Sequence, residues 1–98
     1  METSYANLGT GRKTVAAAGT AERLVAANTP CKKVIITAET DNTNPVVVGD
    51  SSVIAALATR KGTPLAAGAS VTLYVEDLYS IFIDAVTNTE GVTFTYFY

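Results

Sequence analysis

The segment from Pro64 to Tyr98 constrains the fold more than any other part of the chain. Val71, Leu73 and Val75 alternate with Thr72, Tyr74 and Glu76, and Ile81 and Ile83 alternate with Ser80, Phe82 and Asp84. In the last run Val92, Phe94, Tyr96 and Tyr98 share one face, against Thr93, Thr95 and Phe97. Apolar residues at a period of two are the mark of strands half buried against another layer, because successive Cβ atoms point to opposite faces. Glu76–Asp77–Leu78 separates the first two strands, and Asn88–Thr89–Glu90–Gly91 reads as the last hairpin, with Gly91 free to adopt a positive φ.

The same pattern extends upstream. Lys32 to Glu39 predicts a strand with Val34, Ile36 and Ala38 on one face, and Val46 to Val48 is a continuous β-branched run suited to burial on both sides. Arg12 to Ala18 and Arg23 to Ala27 read as two further strands, broken by Gly19–Thr20 and by Asn28–Thr29–Pro30. Val53 to Thr59 fits either two helical turns or a strand; its length and bracketing turns favour a strand or irregular edge. Arg60 to Pro64 reads as a charged loop, and Ala67–Gly68–Ala69 as the turn before a strand at Ser70.

These segments add up to about seven or eight short strands with turns every eight to twelve residues. The expected fold is all-β: a single antiparallel β-sandwich, jelly-roll-like or immunoglobulin-like. Residues 12–98 form that domain. Residues 1–11, polar and without period, form an extended N-terminal arm, in which Tyr5 and Leu8 are isolated apolar anchors. Ninety-eight residues make one domain with one modest core. Although 48% of the residues are hydrophobic, many are alanine, which reads either as a thin core or as two sheets packed closely on small side chains. A thin core raises the expectation of an oligomer or of docking onto a larger body.

Composition removes most chemistries. Histidine is absent, which excludes Ser–His and Cys–His dyads and any histidine metal site. The single Cys31 can form no intramolecular disulfide, and reads as a structural thiol at a strand entrance. Asp41 to Pro45 lacks the oxygen-ligand rhythm of a calcium loop, and the glycines are spread one per turn, without a phosphate cradle. Glu39, Asp41, Asp50, Glu76, Asp77, Asp84 and Glu90 sit at strand ends or outward positions, where solvation keeps them ordinary, whereas glycosidase-type catalysis needs one carboxyl raised by burial. A net charge of −2 with scattered basic pairs does not suggest nucleic-acid binding. No apolar run reaches membrane-spanning length, and METSYANLGTGRK has no signal-peptide core, so synthesis in the cytoplasm is expected. The expectation is a non-enzyme without cofactor or metal. Its outward aromatics Tyr74, Phe82 and Phe97, on neighbouring strands, are the candidate interface, joined by Tyr98 and by Tyr5 and Leu8 of the arm.

Pro30 to Ala38, Val46 to Val53, Leu65 to Leu73 and Leu78 to Ala85 together resemble a pattern of small virion proteins of tailed bacteriophages. Its features are a strand after a Thr-Pro-Cys entry, a polar turn, a VxVG strand, an L-x-x-G-x-S-x-x-L stretch and an IFID strand. The chain is similar to head decoration (cement) proteins and to the capsid-anchoring domains of head fibres, over about its last seventy residues. The resemblance implies a structural protein bound to the outside of an assembled capsid. Its partners would be the major capsid protein and copies of itself, a homotrimer being favoured, and its location the virion surface. A tail or baseplate accessory, a receptor-binding module, and a carbohydrate-binding sandwich using Tyr74, Phe82 or Tyr98 as stacking rings are the alternatives.

Overall fold

The computed structural model describes residues 7–98. Eight strands form two four-stranded antiparallel sheets. The long sheet contains β1 (Leu8–Thr14), β8 (Gly91–Phe97), β3 (Lys33–Ala38) and β6 (Ser70–Leu73), in that order. The short sheet contains β2 (Glu22–Arg23), β7 (Phe82–Ala85), β4 (Val46–Gly49) and β5 (Thr63–Leu65). The pairs β1·β8, β2·β7, β3·β6 and β4·β5 are the rungs of one long hairpin, and rolling that ribbon adds β3·β8 and β4·β7. This is the jelly-roll arrangement, one of the two sandwiches expected from the sequence.

The inner faces meet in one core. Val34, Ile36 and Ala38 of β3 and Val92 and Phe94 of β8 pack against Val46 and Val48 of β4 and Ile83 and Ala85 of β7. Val15, Leu24, Leu65, Leu78 and Ile81 close its ends. The β4 run is buried on both sides as expected. Val46 and Val48 enter the core, whereas Val47 packs outward with Val53 and Ala55, against Ala21 and Phe82. The β4–β5 connection therefore folds back over the outer face of the short sheet.

Several boundaries differ from the sequence reading. β1 begins at Leu8, so residues 8–11 of the expected arm are strand, fully paired with β8. Their glycines hid this: Gly9 and Gly11 have no side chain to show alternation, yet they lie opposite Tyr96 and Phe94, whose rings cover them. An added Cβ would stand 2.4 Å from Tyr96 Cζ or from Phe94 Cζ. Ala16 to Ala18 are bend and turn, because Glu22 captures the amides of Ala16 and Ala17 and Asn88 that of Ala18, and β2 is Glu22–Arg23, sharing only Arg23 with the expected strand. Val53 to Thr59 holds no strand; Ile54 makes an isolated bridge to Lys61, and Leu57–Thr59 is a 3₁₀ turn. The expected loop at Arg60–Pro64 contains the start of β5. In the last hairpin the positive φ belongs to Thr89 (70°), not Gly91. Gly91 serves a different need, since a Cβ there would lie 2.2 Å from the Lys13 carbonyl oxygen.

Candidate functional site

The outer face of the long sheet is built by the residues of each strand that point away from the core. Register aligns them in rows. Thr10, Thr95, Ile35 and Thr72 form one row, and Arg12, Thr93, Thr37 and Ser70 the next. β-Branched threonines suit an exposed pleated surface, which explains their number here. Thr37 and Ser70 hydroxyls are 2.7 Å apart, and the Arg12 guanidinium pairs with Glu39. The end row differs in character. Leu8 faces Phe97, Phe97 faces Lys33, and Tyr74 follows directly on Leu73, the residue opposite Val34. Leu8 is 59% and Tyr74 72% exposed, and Lys33 Nζ lies 5.1 Å from the Phe97 ring centre. One end of the sheet thus presents, from edge to edge, a leucine, two aromatic rings and a cation over the face of one ring.

The expected interface residues are therefore only partly brought together. Leu8, Phe97 and Tyr74 share this end row, Leu8 beside Phe97 and Tyr74 at the opposite edge. Phe82 does not belong with them, because β7 lies in the other sheet. It packs on the satellite cluster of Val47, Val53 and Ala55, and the Arg23 guanidinium stands 4.7 Å from its ring centre and 3.7 Å from that of Tyr79. Tyr98 turns to the inner side and stacks on Tyr96, with ring centres 5.6 Å apart. Tyr5 lies outside the described residues.

Tyr96 and Tyr98 line an open cleft of about 480 Å³ with Asn28, Pro30, Cys31 and Lys32. The Cys31 thiol is buried there and donates to the Val75 carbonyl at 3.3 Å. Burial, and then the charge of Asp77, push its pKa up in spite of the Lys33 backbone amide, so it is held as a thiol.

The carboxylates depart most from the sequence reading. Asp84, expected on an outward position, is 1% exposed. Its Oδ1 accepts the amides of Gly19 and Ala85, and Oδ2 that of Ala55, each at 2.9 Å. It faces outward from its own sheet, as alternation requires, but the returning β4–β5 loop covers it. Glu90 is buried as well. It accepts the Thr43 amide and hydroxyl and the Asn44 amide, tying the Asp41–Pro45 turn to the last hairpin. Asn42 reinforces that tie by exchanging hydrogen bonds with the Gly91 backbone. Glu22 accepts the amides of Ala16 and Ala17 and pairs with Lys13 at 3.0 Å. Asp77 accepts from Asn28, Thr29 and Tyr79.

Burial alone would raise Glu90 and Glu22. For Glu90 the hydrogen bonds from Thr43 and Asn44 outweigh it; for Glu22 those from Ala17 and Ala16, together with Lys13, do so. Both are held below the usual range. Asp77 is lowered by its bond from Asn28 and then by the Tyr79 and Thr29 amides, and Asp50 by Ser52. These groups organise loops as anions. None of these four is raised, the condition a general acid requires at neutral pH.

Among the described residues there is no cluster of three or more His, Cys, Asp or Glu able to hold a metal ion, and no helix long and apolar enough to cross a membrane. Comparison with protein-family models, curated proteins and solved structures found no match.

Proposed function

We propose that this chain is a non-enzymatic structural protein of a phage particle, binding the outside of the assembled capsid through the outer face of its long sheet. The observation that carries the reading is the end row of Leu8, Phe97, Lys33 and Tyr74, which runs across the long sheet. Three of the expected interface residues, Leu8, Phe97 and Tyr74, fall in this row, and among the described residues no loop covers that sheet face. Exposed aromatic and leucine side chains beside a polar, hydrogen-bonding field match the anchors and rim of a protein interface. The sequence resemblance to decoration proteins and head-fibre anchoring domains supplies the capsid as partner. The jelly-roll topology agrees with that reading, being common in capsid-associated and lectin domains alike.

Such a protein stabilises the shell by mass action. It binds the assembled lattice and not the dissociated subunits, and each site held at about 100 Kd of free protein contributes about 2.7 kcal/mol. Co-sedimentation with capsids of the particle whose genome encodes the chain tests this. Binding to assembled capsids, absent with dissociated major capsid protein, is expected. The Tyr74→Ala and Leu8→Ala variants should each weaken it by about 1–2 kcal/mol, or about five- to thirtyfold. A protein that ignores intact capsids refutes the reading.

One observation favours a second reading, carbohydrate binding. Tyr98, 47% exposed and stacked on Tyr96, offers a ring face at the cleft beside Asn28 and Lys32. A glycan array on the intact protein, repeated with Tyr98→Ala, separates the two, because Tyr98 takes no part in the end row of the long sheet.

A further inference from the structure

Strand β1 is an edge strand, and its open side has no backbone partner among the described residues. Asn7 and Tyr98 exchange both of their backbone hydrogen bonds at 3.0 Å. With the β1–β8 register, this directs the amides and carbonyls of Gly9, Gly11 and Lys13 towards β8. Those of Leu8, Thr10, Arg12 and Thr14 point the other way, along the rim of the sheet.

Proteins usually blunt such rims with short strands, prolines, bulges or inward charges. The other three edges are short: β2 has two residues, β5 has three including Pro64, and β6 has four. β1 runs for seven residues with an unbroken register and no proline. Its two cations are neutralised within the chain, Arg12 by Glu39 and Lys13 by Glu22. A groove of about 470 Å³, lined by Gly11, Arg12 and Lys13 on one side and by Arg23, Leu24 and Val25 on the other, separates β1 from β2 and the segment after it.

We propose that β1 pairs with β1 of a second copy of this chain, antiparallel about a two-fold axis at Gly11, fusing the two long sheets into one. In this register Leu8 faces Thr14 of the second copy and Thr10 faces Arg12, while Gly9 faces Lys13 and Gly11 faces itself. No like charges stand opposite each other, and the outward backbone groups are satisfied by about eight hydrogen bonds, two for each facing pair. An isologous contact needs only this one long edge. Head-to-tail assembly would have to match it with the much shorter β6. The pairing goes beyond the capsid reading and does not depend on it. It predicts a two-fold where the resemblance implies a trimer.

Light scattering on the full chain should give twice its 10.2 kDa mass. Proline is tolerated on an edge strand where its missing N–H faces outward. Thr10→Pro should therefore weaken the dimer by about tenfold or more while the protein still melts cooperatively. Thr72→Pro, on the opposite edge of the same sheet, should leave the dimer intact. Hydrogen exchange on the unmodified protein should show the Leu8, Thr10, Arg12 and Thr14 amides becoming protected as concentration rises, which decides the matter if Thr10→Pro does not fold. A mass of one chain at every concentration, a mass of three chains, dissociation by both proline variants, or a folded Thr10→Pro that stays dimeric would each overturn the proposal.

Discussion

Asp84 is the most informative residue to perturb, because one buried carboxylate holds two loops against β7. Asp84→Ala removes the acceptor for three amides. The Gly19 amide is only partly buried and regains water at little cost, whereas those of Ala55 and Ala85 are buried. Each buried orphan costs about 1–3 kcal/mol, so the variant should lose about 4 kcal/mol in total. Against a total stability on the order of 10 kcal/mol for a chain this size, that is severe, and it should lower Tm by roughly 20 °C. Asp84→Asn is the sharper test. Its carbonyl can occupy the Oδ1 position, where the Gly19 and Ala85 amides converge, but its NH₂ then meets the Ala55 N–H donor to donor. A loss of about 2 kcal/mol is expected, with faster hydrogen exchange at Ala55 and little change at Gly19. Urea denaturation and residue-resolved exchange measure both. The reasoning fails if Asn matches the wild type within about 0.5 kcal/mol, or if Ala55 and Gly19 lose protection together.

Two glycine substitutions should separate soft from hard crowding. Gly91→Ala sets a methyl 2.2 Å from the Lys13 carbonyl oxygen and 2.9 Å from Thr14 Cα, which are backbone atoms that move only if β1 leaves β8. Gly11→Ala meets only the Phe94 ring, a core side chain that must repack while the backbone of both strands stays in place. Chemical denaturation should therefore show Gly91→Ala costing at least about 2 kcal/mol more. The acid limb of stability should follow the lowered carboxylates. A folded pKa below the unfolded one means that the unfolded chain binds more protons, so stability is complete above the ordinary carboxylate range and falls as pH drops through the lowered values. Glu90→Gln, monitored by thermal melts between about pH 7 and pH 2, should be less stable than wild type at neutral pH and should lose less on acidification; parallel curves would show that Glu90 contributes nothing to that limb.

The strands that carry bulky residues on alternating positions were legible from the chain itself. β3, β4, β6 and β8 appear where Val34–Ile36–Ala38, Val46–Val48, Val71–Leu73 and Val92–Phe94 place them, and the exposed position of Tyr74 follows from the same alternation. β1 was missed over Leu8 to Gly11 because Gly9 and Gly11 borrow the apolar surface that alternation would display from Tyr96 and Phe94 across the ladder. β2 and the Ala16–Ala18 turn were misread because Glu22, six residues or fewer away, captures amides that a continued strand would have used.

The sequence by itself determined that the chain is an all-β sandwich, because period-two burial is a local property that each strand carries in its own residues. Only the tertiary structure decided which outward residues meet solvent. Alternation assigns Phe82, Asp84, Phe97 and Tyr74 alike to outer faces, but the jelly roll sends β7 to one sheet and β6 and β8 to the other. The β4–β5 loop then buries Asp84 and packs beside Phe82, while among the described residues nothing covers the opposite face. Burial by a chain segment about thirty residues away is a fact of topology, and no periodicity within a strand can encode it.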